Sequence, residues 1–366
     1  MLKKIFLVVG ARPNFIKSAP LCKELARYPA ALEPVLIHTG QHYDRNLSEL
    51  FFEQLKMPEP DIYLGVGSGT HADQTARIMV GLEKEMISQR PELVVVFGDV
   101  NSTLAAAVTA AKLCIKIAHV EAGLRSFDNS MPEEINRIVT DRLSEFLFVT
   151  EPSGVSNLSN EGVPPEKIHL VGNIMIDSLI AGLNAARASK ILDELSLKPK
   201  SFALLTLHRP SNVDNKILLE SLLEAMDQIG ARLPVVFPCH PRTRENLTRF
   251  GLGNGFNPHH LRITEPLGYL DFLKLQCEAK LVLTDSGGIQ EETTYLGIPC
   301  LTLRQNTERP ITVELGTNTL TGVEPKVIAA AATSVIEGNY KTGSIPDLWE
   351  GNTASRIVNV FLQKLT

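Results

Sequence analysis

Apolar residues fall into short uninterrupted blocks, such as Ile5-Phe6-Leu7-Val8-Val9, Leu93-Val94-Val95-Val96-Phe97 and Phe146-Leu147-Phe148-Val149. Lacking polar alternation, such blocks predict parallel strands buried on both faces. Longer segments of helical periodicity lie between them. In the first half the pattern predicts strands at 5–9, 34–39, 93–97, 115–120 and 146–150. Helices are expected at 15–28 (carrying Pro20), 47–55, 72–89, 102–113 and 132–143. The second half repeats the plan, with strands at 202–207, 235–237, 280–284 and 300–303, helices at 215–229, 269–277 and 289–296, and a last helix at 353–365. This alternation predicts an α/β chain of two doubly wound, Rossmann-like domains facing a central cleft. The domains are expected at 1–172, rejoined by the C-terminal helix 353–366, and at 173–352, with a helical hinge near 172–200. Function then belongs at the C-terminal ends of the strands.

Composition narrows the class. The 366 residues are 44% hydrophobic with a net charge of −5, which fits a soluble globular protein and disfavours nucleic acid as a partner. Five widely spaced cysteines, Cys22, Cys114, Cys239, Cys277 and Cys300, read as reduced thiols of a cytoplasmic protein. The apolar run at 5–9 is too short for a signal peptide. No stretch approaches the roughly 20 apolar residues that a membrane span requires.

The strand ends carry the chemistry. Thr284-Asp285-Ser286-Gly287-Gly288 turns from a strand into a helix holding Glu291 and Glu292. Two glycines at a helix start suit an anion, and the alternative is a tight turn with Ser286 as N-cap. The first strand ends in Gly10-Ala11-Arg12-Pro13-Asn14, without the dinucleotide or P-loop glycine spacing, and brings Arg12 and Lys17 as candidate phosphate ligands. Asp99 follows the strand at 93–97 and Glu121 the strand at 115–120. Glu133 arrives on a loop where Ser130 and Pro132 also fit a capping box. The three carboxylates together suit proton transfer. His208-Arg209 and His240-Pro241-Arg242 stand at two later strand mouths, without the spacing of a metal site. The glycine run at 65–69 reads as a flexible connection that follows no strand.

Taken in order, Arg12-Pro13 to Lys17, Thr39-Gly40-Gln41-His42, Gly98-Asp99, His119-Val120-Glu121-Ala122-Gly123-Leu124-Arg125, Pro132-Glu133-Glu134-Ile135-Asn136-Arg137, His208-Arg209, His240-Pro241, the run at 284–292 and Thr307-Glu308-Arg309-Pro310 resemble the non-hydrolysing UDP-N-acetylglucosamine 2-epimerases. That family is similar in fold to GT-B glycosyltransferases. The resemblance implies inversion at C2 of UDP-GlcNAc to UDP-ManNAc by elimination and re-addition of UDP, with no cofactor and no metal, in a cytoplasmic homodimer serving cell-surface polysaccharide synthesis. It implies Asp99, Glu121, Glu133 and His208 as catalytic residues. UDP is then bound by Arg12, Lys17, His208, Ser286, Gly287, Gly288, Glu292 (ribose), Arg309 and Phe272 (uracil, or else a core aromatic). Gln41, His42, Glu134, Arg209 and His240 match the activator site of bacterial members, from which Asp44 and the run at 65–70 depart. Other UDP-2-acetamido sugars, such as the 2,3-diacetamido uronic acid or a 6-deoxy analogue, a hydrolysing epimerase and a GT-B glycosyltransferase are the rival readings.

Overall fold

The apolar blocks become the inner strands of two all-parallel sheets. The computed structural model describes residues 2–41, 52–252 and 255–365. Its first unit comprises Met1–Ile180 and Asp347–Thr366, and its second Ala181–Pro346. The first holds seven strands, β1 (Lys3–Val9), β2 (Leu32–His38), β3 (Ile62–Tyr63), β4 (Leu93–Phe97), β5 (Lys116–Ala122), β6 (Phe146–Val149) and β7 (Ile168–Leu170), in the order β3-β2-β1-β4-β5-β6-β7. The second holds β8 (Ala203–Thr206), β9 (Val235–Pro238), β10 (Leu261–Thr264), β11 (Leu281–Thr284), β12 (Cys300–Thr302) and β13 (Asn318–Leu320), in the order β10-β9-β8-β11-β12-β13. Strand order reverses between β1 and β4 and again between β8 and β11, which makes the C-terminal ends of those pairs the crevices where ligands of such sheets bind.

The second-unit strands β8, β9 and β11 each feed two cores. Ala203, Leu205, Val235, Phe237, Leu281 and Leu283 pack into one apolar layer, while Phe202, Leu204, Val236 and Val282 pack into the other. This is the two-residue period of a strand covered on both faces.

The division between the units falls within helix Ile174–Arg187. Asp177, in its first half, accepts from the Thr353 and Ala354 amides (3.2 and 2.8 Å) and so caps the C-terminal helix Thr353–Leu365. Buried Trp349 donates its indole N–H to the Thr150 carbonyl (3.2 Å). The returning segment therefore joins the first unit from Asp347, ahead of the helix.

The glycine run at 65–69 differs from expectation. It directly follows β3, which pairs in parallel with β2. The ladder continues past the strand ends through Leu64 N–H to His38 O (2.9 Å), Val66 N–H to Thr39 O (3.0 Å) and Gly67 N–H to Gly40 O (2.8 Å). Gln74 Nε2 donates to Gly67 O (2.9 Å) and Arg77 to Val66 O, so the run is pinned from both sides. His42 and most of the helix expected at 47–55 lie outside the described residues.

Candidate active site

Helix Arg12–Leu25 begins as soon as β1 ends. Asn14 Oδ1 accepts from the Gly10 and Ala11 amides (3.2 and 3.3 Å) and its Nδ2 donates to Phe97 O (2.8 Å), tying the mouths of β1 and β4 together. Arg12 is the first helical residue and is half-buried. Lys17, expected at a phosphate, is buried in an ion pair with Glu121. Gly98 lies against that pair: a Cβ there would stand 2.7 Å from Lys17 Nζ and 2.9 Å from Glu121 Oε2, and its φ is +59°.

Glu121 itself has a φ of +77° and sits where the β5–β6 register shifts, between Val120 and Ala122. A bulge re-aims a side chain, and left-handed backbone at a non-glycine residue costs about 1 kcal/mol or more. Glu121 thus leaves the regular strand at a conformational cost.

Asp99, one residue beyond Gly98, pairs with Arg137 and keeps 24% of its side chain exposed. Arg137 is aimed by Glu134, whose carboxylate accepts from Arg137 Nε (3.0 Å) and Nη2 (2.6 Å) and from the Ser126 and Phe127 amides (3.0 and 2.9 Å). Burial would raise the Glu134 pKa, but the Ser126 amide and Arg137 outweigh it and hold it below the usual value. Glu133, half-buried, shares the first turn of helix Pro132–Leu143. The capping box fails there, because Met131 is the cap residue and Ser130 Oγ donates to Asp128 Oδ1 (2.6 Å) instead. Gln41 is also spent internally, its Oε1 accepting from Ser102 N–H (3.0 Å) and Oγ (2.7 Å) at the start of helix Asn101–Lys112.

In the second unit, Ser286 is the cap residue of helix Gly287–Leu296 but makes no side-chain cap bond. Amides at a helix start have no intrahelical partner. Before it, fully buried Asp285 accepts from the His208 and Arg209 amides (3.0 and 2.9 Å), from Asn212 Nδ2 (3.3 Å) and from His208 Nδ1 (2.9 Å). Burial pushes the Asp285 pKa up, yet His208 and these amides bring it below the ordinary value. With Nδ1 committed to Asp285, the His208 nitrogen left for a ligand is Nε2. Its ring lies against His240 (centroids 5.7 Å apart), which in turn caps helix Pro241–Phe250 by accepting from Arg242 N–H (3.3 Å).

Arg309 is buried in an ion network. Its Nε meets Glu291 Oε1 and its Nη1 meets Glu308 Oε1, both at 2.8 Å. Arg304 Nη2 reaches Glu308 Oε2 (2.8 Å) and Arg209 Nη2 reaches Glu308 Oε1 (3.5 Å). Burial opposes the charge on Glu308, but the arginines, Arg309 first, carry its pKa well below the ordinary value. A Cβ at Gly287 would stand 2.6 Å from Glu308 Oε1 and 2.9 Å from Arg309 Nη1. The missing side chain of Gly287 thus makes room for this protein pair. Glu292 is buried and its pKa is pushed up to about 7 by that burial, against the smaller opposing pull of Gln276 and Tyr269. Phe272 is half-buried against the Phe202–Leu204–Leu275 layer.

The family model for UDP-N-acetylglucosamine 2-epimerase matches residues 23–362. A UDP-N-acetylglucosamine 2-epimerase of Methanococcus maripaludis is 43% identical over 364 residues, covering 98% of both chains. This chain belongs to the UDP-N-acetylglucosamine 2-epimerase family. The crystal structure of the Methanocaldococcus jannaschii UDP-GlcNAc 2-epimerase, in complex with UDP-GlcNAc and UDP, superimposes with a TM-score of 0.90 at 40% identity, covering 98% of this chain and 99% of that one. A UDP-2,3-diacetamido-2,3-dideoxy-D-glucuronate 2-epimerase of Pseudomonas aeruginosa is 41% identical over 99% of this chain and 100% of its own. The fold is accordingly GT-B-like, and the protein is an epimerase.

Within this epimerase, the residues singled out by sequence fall into two sets. The first unit groups Lys17 with Glu121, and Asp99 with the helix that carries Glu133 and Glu134. The second groups His208 and Arg209 with the start of helix Gly287–Leu296 and Arg309. Sequence reasoning assigned no role to Arg137, Asp285 or Glu308. Only the Glu134–Arg137 spacing of three carried a signal, as neighbours on one helix face. Among the described residues, no three His, Cys, Asp or Glu side chains are grouped to hold a metal, and no helix is long and apolar enough to cross a membrane.

Proposed function

We propose that this protein inverts C2 of a UDP-2-acetamido sugar, with UDP-GlcNAc and UDP-ManNAc as the first pair to test. The observation that carries the reading is the mouth of the first sheet, where Asp99 pairs with Arg137 and Glu121 with Lys17. A carboxylate held in place at a strand mouth suits proton transfer with a bound substrate.

One of Asp99, Glu121 and Glu133 takes the proton from C2 as the C1–O bond to UDP breaks, leaving a 2-acetamidoglucal and free UDP. A second of the three, carrying a proton taken from solvent, gives it to the opposite face of C2 while the UDP oxygen re-forms the bond to C1, and the first then loses its proton to solvent. Atoms and charge balance without an external oxidant or reductant. The departing diphosphate collects negative charge, which His208 Nε2 and the amides opening helix Gly287–Leu296 suit, with Arg309 as a fixed positive charge beside Gly287. A fixed donor of this type is worth about 3 kcal/mol of barrier. Half-buried Arg12 remains a diphosphate candidate, whereas Lys17 serves Glu121. Glu292 takes the ribose hydroxyls as a carboxylate, and Phe272 borders the uracil.

The 2,3-diacetamido uronic acid analogue is the second reading, supported by the Pseudomonas aeruginosa relative at nearly the same identity. The deciding experiment incubates the protein with single UDP-2-acetamido sugars and no acceptor, followed by chromatography. A second UDP-sugar epimeric at C2 is expected. Free sugar plus UDP as the end product would point to a hydrolysing enzyme, and no change without an acceptor to a glycosyltransferase.

A further inference from the structure

His119 lies fully buried in β5, two residues before Glu121, and its ring joins two strand ends. Nε2 is 2.7 Å from the Gly98 carbonyl and Nδ1 is 2.6 Å from Asp141 Oδ1. A carbonyl oxygen can only accept, so Nε2 donates to Gly98 and Nδ1 is left to share a hydrogen bond with Asp141. Gly98 is thereby held to β5 twice, because its own N–H also donates to Val120 O (3.0 Å). The residue after this doubly tethered glycine is Asp99.

Asp141 has a second task. While Oδ1 takes His119, Oδ2 accepts from the Gly123 amide (3.1 Å) and pairs with Arg125 Nη1 (2.7 Å). One carboxylate therefore grips the chain at position 119 in β5 and at position 123 just past its end, two residues either side of Glu121. Arg125 is anchored in turn by Glu161, at 2.8 Å through both Nε and Nη2. Burying a charged chain of this kind stabilises a fold little, since apolar residues of the same volume would serve as well or better. What it supplies here is geometry, at the bulge where the Glu121 carboxylate is held with positive φ.

We propose that His119, backed by Asp141, is a positioning residue that sets Asp99 through the Gly98 carbonyl and Glu121 through the clamped bulge. The inference rests on the acid–base reading of those two carboxylates. It assigns His119 no contact with substrate.

Two substitutions separate positioning from packing. In His119→Gln the amide nitrogen takes the place of Nε2 and keeps the bond to Gly98. In His119→Asn it takes the place of Nδ1, keeping Asp141 and releasing Gly98. His119→Gln should hold kcat within about tenfold of wild type, whereas His119→Asn should lose about 10²-fold, the cost of a sub-ångström to 1 Å misplacement. KM and UDP affinity should stay within about twofold in both. Asp141→Asn, which loosens the grip on Gly123, should likewise lower kcat and leave KM alone. It carries the test should His119→Asn not fold. A further check on the wild-type protein is ¹⁵N-histidine NMR, which should show an N–H on Nε2 of His119. Equal kcat losses in the Gln and Asn variants, a loss appearing in KM or UDP affinity instead, or an Nε2 without a proton would overturn the proposal. Solvent deuterium exchange at C2 in the wild type distinguishes the two levels. Its absence removes the acid–base reading together with this inference, while its presence alongside an unimpaired His119→Asn variant removes the inference alone.

Discussion

The two sheet mouths use charge in opposite ways. In the first unit the cations serve the carboxylates: Lys17 is buried against Glu121, and Arg137, aimed by Glu134, holds Asp99. In the second the carboxylates serve the cations and donors: Glu308 gathers Arg209, Arg304 and Arg309, and Asp285 orients His208. On the proposed reading, one α/β plan yields a mouth that moves protons and another that holds an anion. The difference lies in which partner is buried as the counter-ion and which keeps a working atom.

The largest effects should come from breaking the first mouth. Asp99→Asn, Glu121→Gln and Glu133→Gln are each expected to lower turnover by about 10²–10⁴-fold, the usual worth of general acid–base catalysis, with UDP affinity measured by calorimetry unchanged. Near wild-type turnover in all three would erase the contrast between the mouths. In the second unit, Glu308→Ala should cost about 3 kcal/mol or more of stability in denaturant melts, because it strands buried arginines, and UDP binding should weaken with it. Unchanged stability would mean that Glu308 is not the counter-ion of that network.

What could be read from sequence follows the same division between buried and exposed. The inner strands announce themselves as apolar runs. The strands that escape such reading are β3, β7, β10 and β13, the four edges of the two sheets. Edge strands are short and face solvent, so they carry polar residues in place of an apolar block. Leu261-Arg262-Ile263-Thr264 and Asn318-Thr319-Leu320 illustrate this. Helix Pro241–Phe250 is hidden for the same reason, its face being mostly Arg, Glu, Asn and Thr. At the site, the residues were visible but their partners were not. Nothing local indicates that Lys17 meets Glu121 across 104 positions, that Gly287 makes room for Glu308, or that Glu121 adopts positive φ.

A pH series sharpens the second mouth. Because burial holds Glu292 protonated up to about pH 7 and the ribose diol needs it ionised, UDP affinity should rise by up to about tenfold per pH unit below 7 and flatten above. Glu292→Gln should abolish the slope. The sign for stability is opposite. The folded protein binds this proton more tightly than the unfolded chain, so the contribution of Glu292 falls as pH climbs from the ordinary 4.5 towards 7. A flat binding profile in the wild type would place Glu292 away from the ligand. The smallest expected effect is Gly287→Ala, about 1–3 kcal/mol of destabilisation from crowding Glu308 and Arg309, read from thermal melts. A neutral result would show that the ion pair yields easily.

The central claim, that the carboxylates of the first mouth move the C2 proton of a UDP-sugar, is tested most directly in D₂O. With UDP-GlcNAc as substrate and NMR as readout, the account predicts deuterium at C2 of the epimerised product and slow release of UDP as the glucal escapes. Retention of the original hydrogen at C2 of the product would contradict it.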